Sequence, residues 1–241
     1  MANSPTIVEK LWLSFQLLAG VMQVHSEGLT HGDIKPDNVM LTSSGQLLLT
    51  DFASFKPTFI SADSLNEYTL FFTEQTKKCY LAPERLVTGD LPPSRLPAPA
   101  MDIFSAGCVI AEIFMEGTPL FDLSALQNYR KGKFAPERVL GPRLRHLKCH
   151  AALQALILQM VHLDPAQRGQ ISEIFSKFNQ QLCPPALSGF AIQLSSALML
   201  PQFALSDERV LLLRYHFDLI WKSCFNQTVP LLHHAGSHVV Y

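Results

Sequence analysis

From Ile7 to His25 the apolar positions Leu11, Phe15, Leu18, Val21 and Met22 fall on one helical face, which predicts a helix that Gly28 stops. Leu29 to Asp33 keeps no such rhythm and reads as a loop. Two short apolar runs follow, Val39-Met40-Leu41 and Leu47-Leu48-Leu49, parted by Ser43-Ser44-Gly45-Gln46, and they predict a β-hairpin. Over residues 51–100 periodicity is weak, and Pro92, Pro93, Pro97 and Pro99 predict an irregular, exposed end to that stretch. Helical spacing returns over Met101–Glu116 (closed by Gly117 and Pro119), near Ser124–Arg130, over Ala151–His162 and over Ile171–Leu182. Cys183-Pro184-Pro185 marks the clearest boundary. Beyond it, Leu187–Leu200 and Ser206–Phe225 predict a helix pair broken at Pro201, with Ser206 as N-cap and Asp207 and Glu208 favourable in the first turn. Residues 226–241 read as a loose tail.

Composition narrows the class. With 48% apolar residues the chain has material for a substantial core. A formal net charge of -1 gives no basic field for nucleic acid, so no nucleic-acid partner is expected. The cysteines Cys79, Cys108, Cys149, Cys183 and Cys224 are scattered and form no CxxC pair. That points to reduced thiols in a cytoplasmic setting and away from zinc or a disulfide framework. Leu11–Met22 and Met101–Met115 are apolar but short or interrupted by polar residues, and neither is expected to span a bilayer.

The hairpin carries the candidate chemistry. Asn38 enters its first strand and Asp51 leaves its second, equidistant from the turn, so the two are expected side by side at one end of the ribbon. Two hard oxygen ligands in that position suit magnesium bridging phosphate oxygens. Asp33, five residues before Asn38, lies on the loop feeding the same end. Taken singly, Asp and Asn at hairpin ends are also ordinary turn and cap residues. Asp102 lies in a nearly all-apolar helix, where a carboxylate without partners would be costly.

The string His31-Gly32-Asp33-Ile34-Lys35-Pro36-Asp37-Asn38 resembles a protein-kinase catalytic loop, and Asp51-Phe52-Ala53 resembles its metal-binding triplet. Ala82-Pro83-Glu84 is similar to the end of a kinase activation segment, and Asp102-Ile103-Phe104-Ser105-Ala106-Gly107 to the start of the helix that anchors the catalytic loop. The resemblance implies a mainly α fold: a kinase C-lobe over residues 1–182 with a small β-hairpin at the catalytic loop. Residues 183–225 would then begin a helical-repeat region. It further implies that Asp33 accepts the substrate hydroxyl proton and Lys35 offsets charge on the moving phosphoryl group. Asn38 and Asp51 would hold Mg²⁺, and Lys35, Asn38 and Asp51 would contact ATP. His31 and Phe52 would be structural members of the two motifs. Asp102 would bond the catalytic-loop backbone, and Glu84 and Arg168 would form the ion pair tying the activation segment to a late helix.

Longer strings, among them Leu49–Pro57, Asp102–Glu112 and Gly117–Ser124, are similar to the kinase domain of the class III phosphatidylinositol 3-kinase regulatory subunits, the vacuolar-protein-sorting kinases. That family implies a Ser/Thr kinase-like regulatory subunit partnered by the lipid kinase catalytic subunit and by autophagy and endosomal adaptors. Its place would be cytoplasmic, at endosomal and autophagic membranes. Departures from active kinases shape further expectations. Gly32 stands where Arg is usual, so control by a phosphorylated activation segment is not expected. Ala53 stands where the triplet has Gly, which restricts the backbone. Only 30 residues precede His31, too few for an N-lobe, so this chain is expected to lack one and to be inactive alone. Ala2 offers no myristoylation site, and membrane association is expected to be indirect. A catalytically dead binding module is the alternative. A small-molecule phosphotransferase shares the His-Gly-Asp loop, but Lys35, Ala82-Pro83-Glu84 and the Asp102 helix argue against it.

Overall fold

The computed structural model describes residues 5–42, 46–53, 56–62, 65–72, 77–88, 98–147 and 149–183. The chain divides into two compact units, Met1–Cys183 and Pro184–Tyr241. Every described residue lies in the first. The expected helix pair and tail fall outside the described residues, as do Ala2 and the Ser43-Ser44-Gly45 turn.

Helix α1 (Ile7–Ser26) opens with a capping box: the Thr6 hydroxyl accepts the Glu9 N–H, and the Glu9 carboxylate accepts the Thr6 N–H at 2.6 Å. By length and apolarity α1 could cross a membrane. Its buried face (Val8, Leu11, Leu17, Leu18, Val21) is instead spent on helix α7 (Ile171–Gln181), helix α3 (Pro99–Phe114) and strand β2 (Leu47–Leu49). Strand β1 (Val39–Leu41) pairs antiparallel with β2. Helix α3 runs through the core with Met101–Glu112 buried on every side, so it behaves as the axle on which the other elements pack. Gly107 lets it lie close against helix α6 (His150–Met160): a Cβ there would come within 2.8 Å of the Met160 Cβ.

The fold is mainly helical with a small hairpin, as expected. Three features were not. Helix α2 (Leu65–Phe71) and a parallel two-residue bridge between strands β3 (Ile60–Ser61) and β4 (Leu86–Val87) organise the stretch that showed weak periodicity. Helix α5 (Pro136–Leu144) forms with Gly141 and Pro142 inside it: Pro136 starts it at a position that suits proline, while Pro142 withholds the N–H that would reach the Arg138 carbonyl. The short helix expected near Ser124–Arg130 is α4 (Leu123–Arg130), capped by the Asp122 side chain. Helix α3 starts at Pro99 rather than Met101 and ends at Phe114, because Glu116 (φ 56°) and Gly117 (φ 77°) both turn left-handed.

Candidate active site

The loop Leu29–Lys35 is fixed from below. Asp102, in the first turn of α3, is buried, and its carboxylate accepts the His31 and Gly32 backbone N–H groups, each at 2.8 Å. The His25 ring nitrogen Nε2 lies 3.0 Å from the same carboxylate. These contacts answer the cost of burying a charge inside an apolar helix. Above this anchor the His31 ring stacks on Phe52 with centroids 4.5 Å apart, and its Nδ1 accepts the Asp33 N–H. An accepting Nδ1 leaves the proton on Nε2, the neutral tautomer. Burial holds the His31 pKa below its ordinary value, against the opposing pull of Asp102.

Asp33 is the centre of the cluster. The Asn38 amide donates to its backbone carbonyl at 2.8 Å and to its carboxylate Oδ2 at 3.0 Å. The Lys35 ammonium lies 3.2 Å from Oδ2 and donates to the Phe72 carbonyl at 2.8 Å. Lys56 also pairs with Oδ2. Lys56 was not among the residues singled out from the sequence. It follows the Asp51-Phe52-Ala53 triplet closely, but its partner lies 23 positions earlier and only the fold reveals it.

The expected register needs correcting. Val39 pairs with Leu49, so Asn38 faces Thr50, not Asp51, and the Thr50 N–H donates to the Asn38 carbonyl at 3.0 Å. In an undistorted ribbon a one-residue offset sends side chains to opposite faces. Asp51 leaves the ribbon with a left-handed backbone, φ 59°, and lines the same cleft as Asn38. Such a conformation in a non-glycine residue is a local strain of the kind found at functional sites.

Two arginines hold the activation segment. Arg168 is fully buried and forms a two-pronged pair with Glu84, at 2.7 and 2.8 Å, while also donating to the Ala100 and His162 carbonyls. Arg85, a second residue missed in the sequence, donates to the carbonyls of Gly32 (2.5 Å), Thr58 (2.7 Å) and Pro57 (3.0 Å) and covers the Phe72 ring. Burial lowers its pKa to about 10, against Asp33 and Asp102, so it stays charged at neutral pH. Gly32 sits at φ 79°, where a side chain would be strained. The Ala53 N–H donates to the His31 carbonyl at 2.9 Å and closes the triplet onto the loop.

Asp33, Lys35, Asn38, Asp51, Lys78 and Arg85 are among the residues that line one cleft of about 530 Å³. Among the described residues no three His, Cys, Asp or Glu side chains cluster as a metal site. Magnesium does not require that: it keeps several waters and takes one or two protein oxygens together with substrate phosphates. The Asn38 amide nitrogen is spent on Asp33, which leaves its carbonyl oxygen as the ligand atom, with the exposed Asp51 carboxylate as the second. An amide oxygen and a carboxylate are the kinds of donor that magnesium takes. Phe52 is 42% exposed, and Met40 and Leu48, a cross-strand pair, are exposed on the hairpin.

A helical domain with a loop-anchoring aspartate, an Asp–Lys–Asn cluster and a buried Arg–Glu tie is the architecture of a kinase C-lobe. The protein kinase domain family matches residues 7–178, and the chain belongs to that family. It is 39% identical over 218 residues to the probable serine/threonine-protein kinase vps15 of Dictyostelium discoideum, covering 89% of this chain and 11% of that protein. It is 41% identical over 198 residues to the serine/threonine-protein kinase VPS15 of Arabidopsis thaliana (77% and 12%). With VPS15 of Saccharomyces cerevisiae it shares 39% over 178 residues (71% and 12%). The chain thus spans about a tenth of the length of these relatives.

Proposed function

We propose that this chain carries the floor of a Ser/Thr-type phosphoryl-transfer site. The observation that supports it is the convergence of Asp33, Lys35, Asn38 and Asp51 on one cleft. ATP with Mg²⁺ would supply the phosphoryl group and neutralise its charge, held through the Asn38 carbonyl oxygen and the Asp51 carboxylate. Asp33 accepts the proton as the substrate hydroxyl oxygen bonds to the γ-phosphorus and the bond to the β-phosphate oxygen breaks. Lys35, poised 3.2 Å from Asp33, meets the charge of the transferred group. Such chemistry depends on positioning, and misplacement alone costs about a hundredfold in rate.

From the resemblance of Leu49–Pro57 and Asp102–Glu112 to the class III phosphatidylinositol 3-kinase regulatory subunits, we infer that the chain works within such a complex. There it sits with the lipid kinase catalytic subunit and autophagy or endosomal adaptors, on the cytoplasmic side of those membranes. A second reading, a binding module without catalysis, is favoured by one observation: Lys35, Lys56 and the Asn38 amide are all turned onto Asp33. The discriminating experiment is phosphoryl transfer from ATP to a protein acceptor by the protein assembled with its partners. Transfer abolished by Asp33→Asn is expected. A signal equal in both proteins, or none in either, overturns the catalytic reading and leaves the binding module.

A further inference from the structure

Three donors converge on a single oxygen of Asp33. The Asn38 amide reaches Oδ2 at 3.0 Å, the Lys35 ammonium at 3.2 Å, and the Lys56 ammonium is the closest of the three. None of the three contacts is to Oδ1. The Lys56 and Asp33 side chains are only 13% and 7% exposed, so solvent and salt screen the pair little.

The two lysines are held differently. Lys35 sits on the catalytic loop and is shared between Asp33 and the Phe72 carbonyl. Lys56 is set from the activation segment. Its N–H donates to the Ala53 carbonyl at 3.2 Å, and the carbonyls of the next two residues, Pro57 and Thr58, are gripped by Arg85. Arg85 also grips the Gly32 carbonyl, directly before Asp33. One guanidinium therefore joins the backbone that carries Lys56 to the backbone that carries Asp33. The Lys56 ammonium also lies 5.7 Å from the Phe72 ring centroid, so its long side chain has a wall to rest on.

Two ammonium groups share the Asp33 carboxylate. An incoming phosphoryl group is anionic and competes for an ammonium. Whichever lysine answers leaves the Asp33 carboxylate to the other ammonium and the neutral Asn38 amide. We propose that Lys56 is the positioning residue of Asp33: it holds Oδ2 while Lys35 turns to the phosphoryl group, so that Oδ1 faces the substrate hydroxyl. This rests on the phosphoryl-transfer reading of the same site.

Two measurements test it. The first needs no turnover: the rate at which an amine-acylating reagent labels each lysine of the purified protein, read by mass spectrometry. A paired, shielded ammonium should label about tenfold more slowly at Lys56 than at exposed Lys131. Asp33→Asn should accelerate Lys56 severalfold and leave Lys131 unchanged. Lys56 labelling as fast as Lys131, or slow labelling indifferent to Asp33→Asn, overturns the proposal. The second is steady-state transfer in the assembled protein. Lys56→Met should lower kcat about tenfold with the nucleotide KM nearly unchanged, and Lys56→Arg should recover part of the loss. An unchanged kcat, or a loss confined to KM, overturns it. If the unsubstituted protein transfers no phosphate, the functional reading fails while the labelling result still decides whether Lys56 holds Asp33.

Discussion

The carboxylate of Asp102 accepts the backbone N–H of His31 at 2.8 Å across 71 positions of sequence. One buried side chain on the central helix thereby sets the height and direction of the loop that carries Asp33. Removing it leaves the N–H groups of His31 and Gly32 unpaired in the interior. Asp102→Ala is therefore expected to lower stability by about 1–3 kcal/mol in denaturant unfolding. A change near zero would mean that water replaces the carboxylate without cost.

The Glu84–Arg168 pair predicts a larger effect. Arg168 is fully buried, with its guanidinium over the Phe104 ring at 5.0 Å, and the partly exposed Glu84 supplies its carboxylate partner. Glu84→Ala leaves a charge held only by carbonyls and should cost about 3–5 kcal/mol. Differential scanning of the two proteins measures it, and an unchanged Tm would show that the Ala100 and His162 carbonyls suffice.

Gly107 tests the packing of α3 on α6. A methyl group there meets the Met160 Cβ at 2.8 Å and the Val161 Cγ1 at 3.0 Å, and neither is the end of a flexible chain. Although alanine favours helices, Gly107→Ala should destabilise by about 1–3 kcal/mol through overpacking. A stabilised variant would contradict the close approach.

Burial lowers the pKa of His31 in the folded state. The unfolded chain therefore takes up this proton at higher pH than the folded one. The stability contributed by neutral His31 is present above pH 6.5 and is lost as pH falls from there through the folded pKa. Unfolding measured between neutral and mildly acidic pH should show this slope, up to about 1.4 kcal/mol per pH unit, and His31→Gln should reduce it. Equal slopes in both proteins would mean that other groups carry the acid sensitivity.

Much of the helical scaffold was legible in the chain because apolar periodicity and capping act locally. The Thr6/Glu9 box and Asp122, which set helix starts within a few residues of themselves, were not singled out from the sequence. The hairpin runs were legible, but the register at Asp51 was not. Equal distance counted about the junction of positions 44 and 45 pairs Asn38 with Asp51. The pairing of Leu41 with Leu47 centres the hairpin on position 44, which puts Asn38 opposite Thr50 and leaves Asp51 one residue beyond. Lys56 and Arg85 were missed for another reason. Their partners are a carboxylate 23 positions away and backbone carbonyls up to 53 positions away, and carbonyls have no sequence signature. The bridge of β3 with β4 pairs two residues per strand, too short for any period to show.

The central claim is that Asn38, Asp51 and Asp33 form one magnesium-dependent phosphoryl-transfer floor. Titration of the purified protein with a nucleotide triphosphate, with and without Mg²⁺, tests it most directly, with Asp51→Asn as the comparison. The account predicts binding that requires Mg²⁺ and weakens at least about tenfold in Asp51→Asn, because the substitution removes one of two protein ligands from the ion that bridges the phosphates. Binding that ignores Mg²⁺, or that survives Asp51→Asn unchanged, would contradict it.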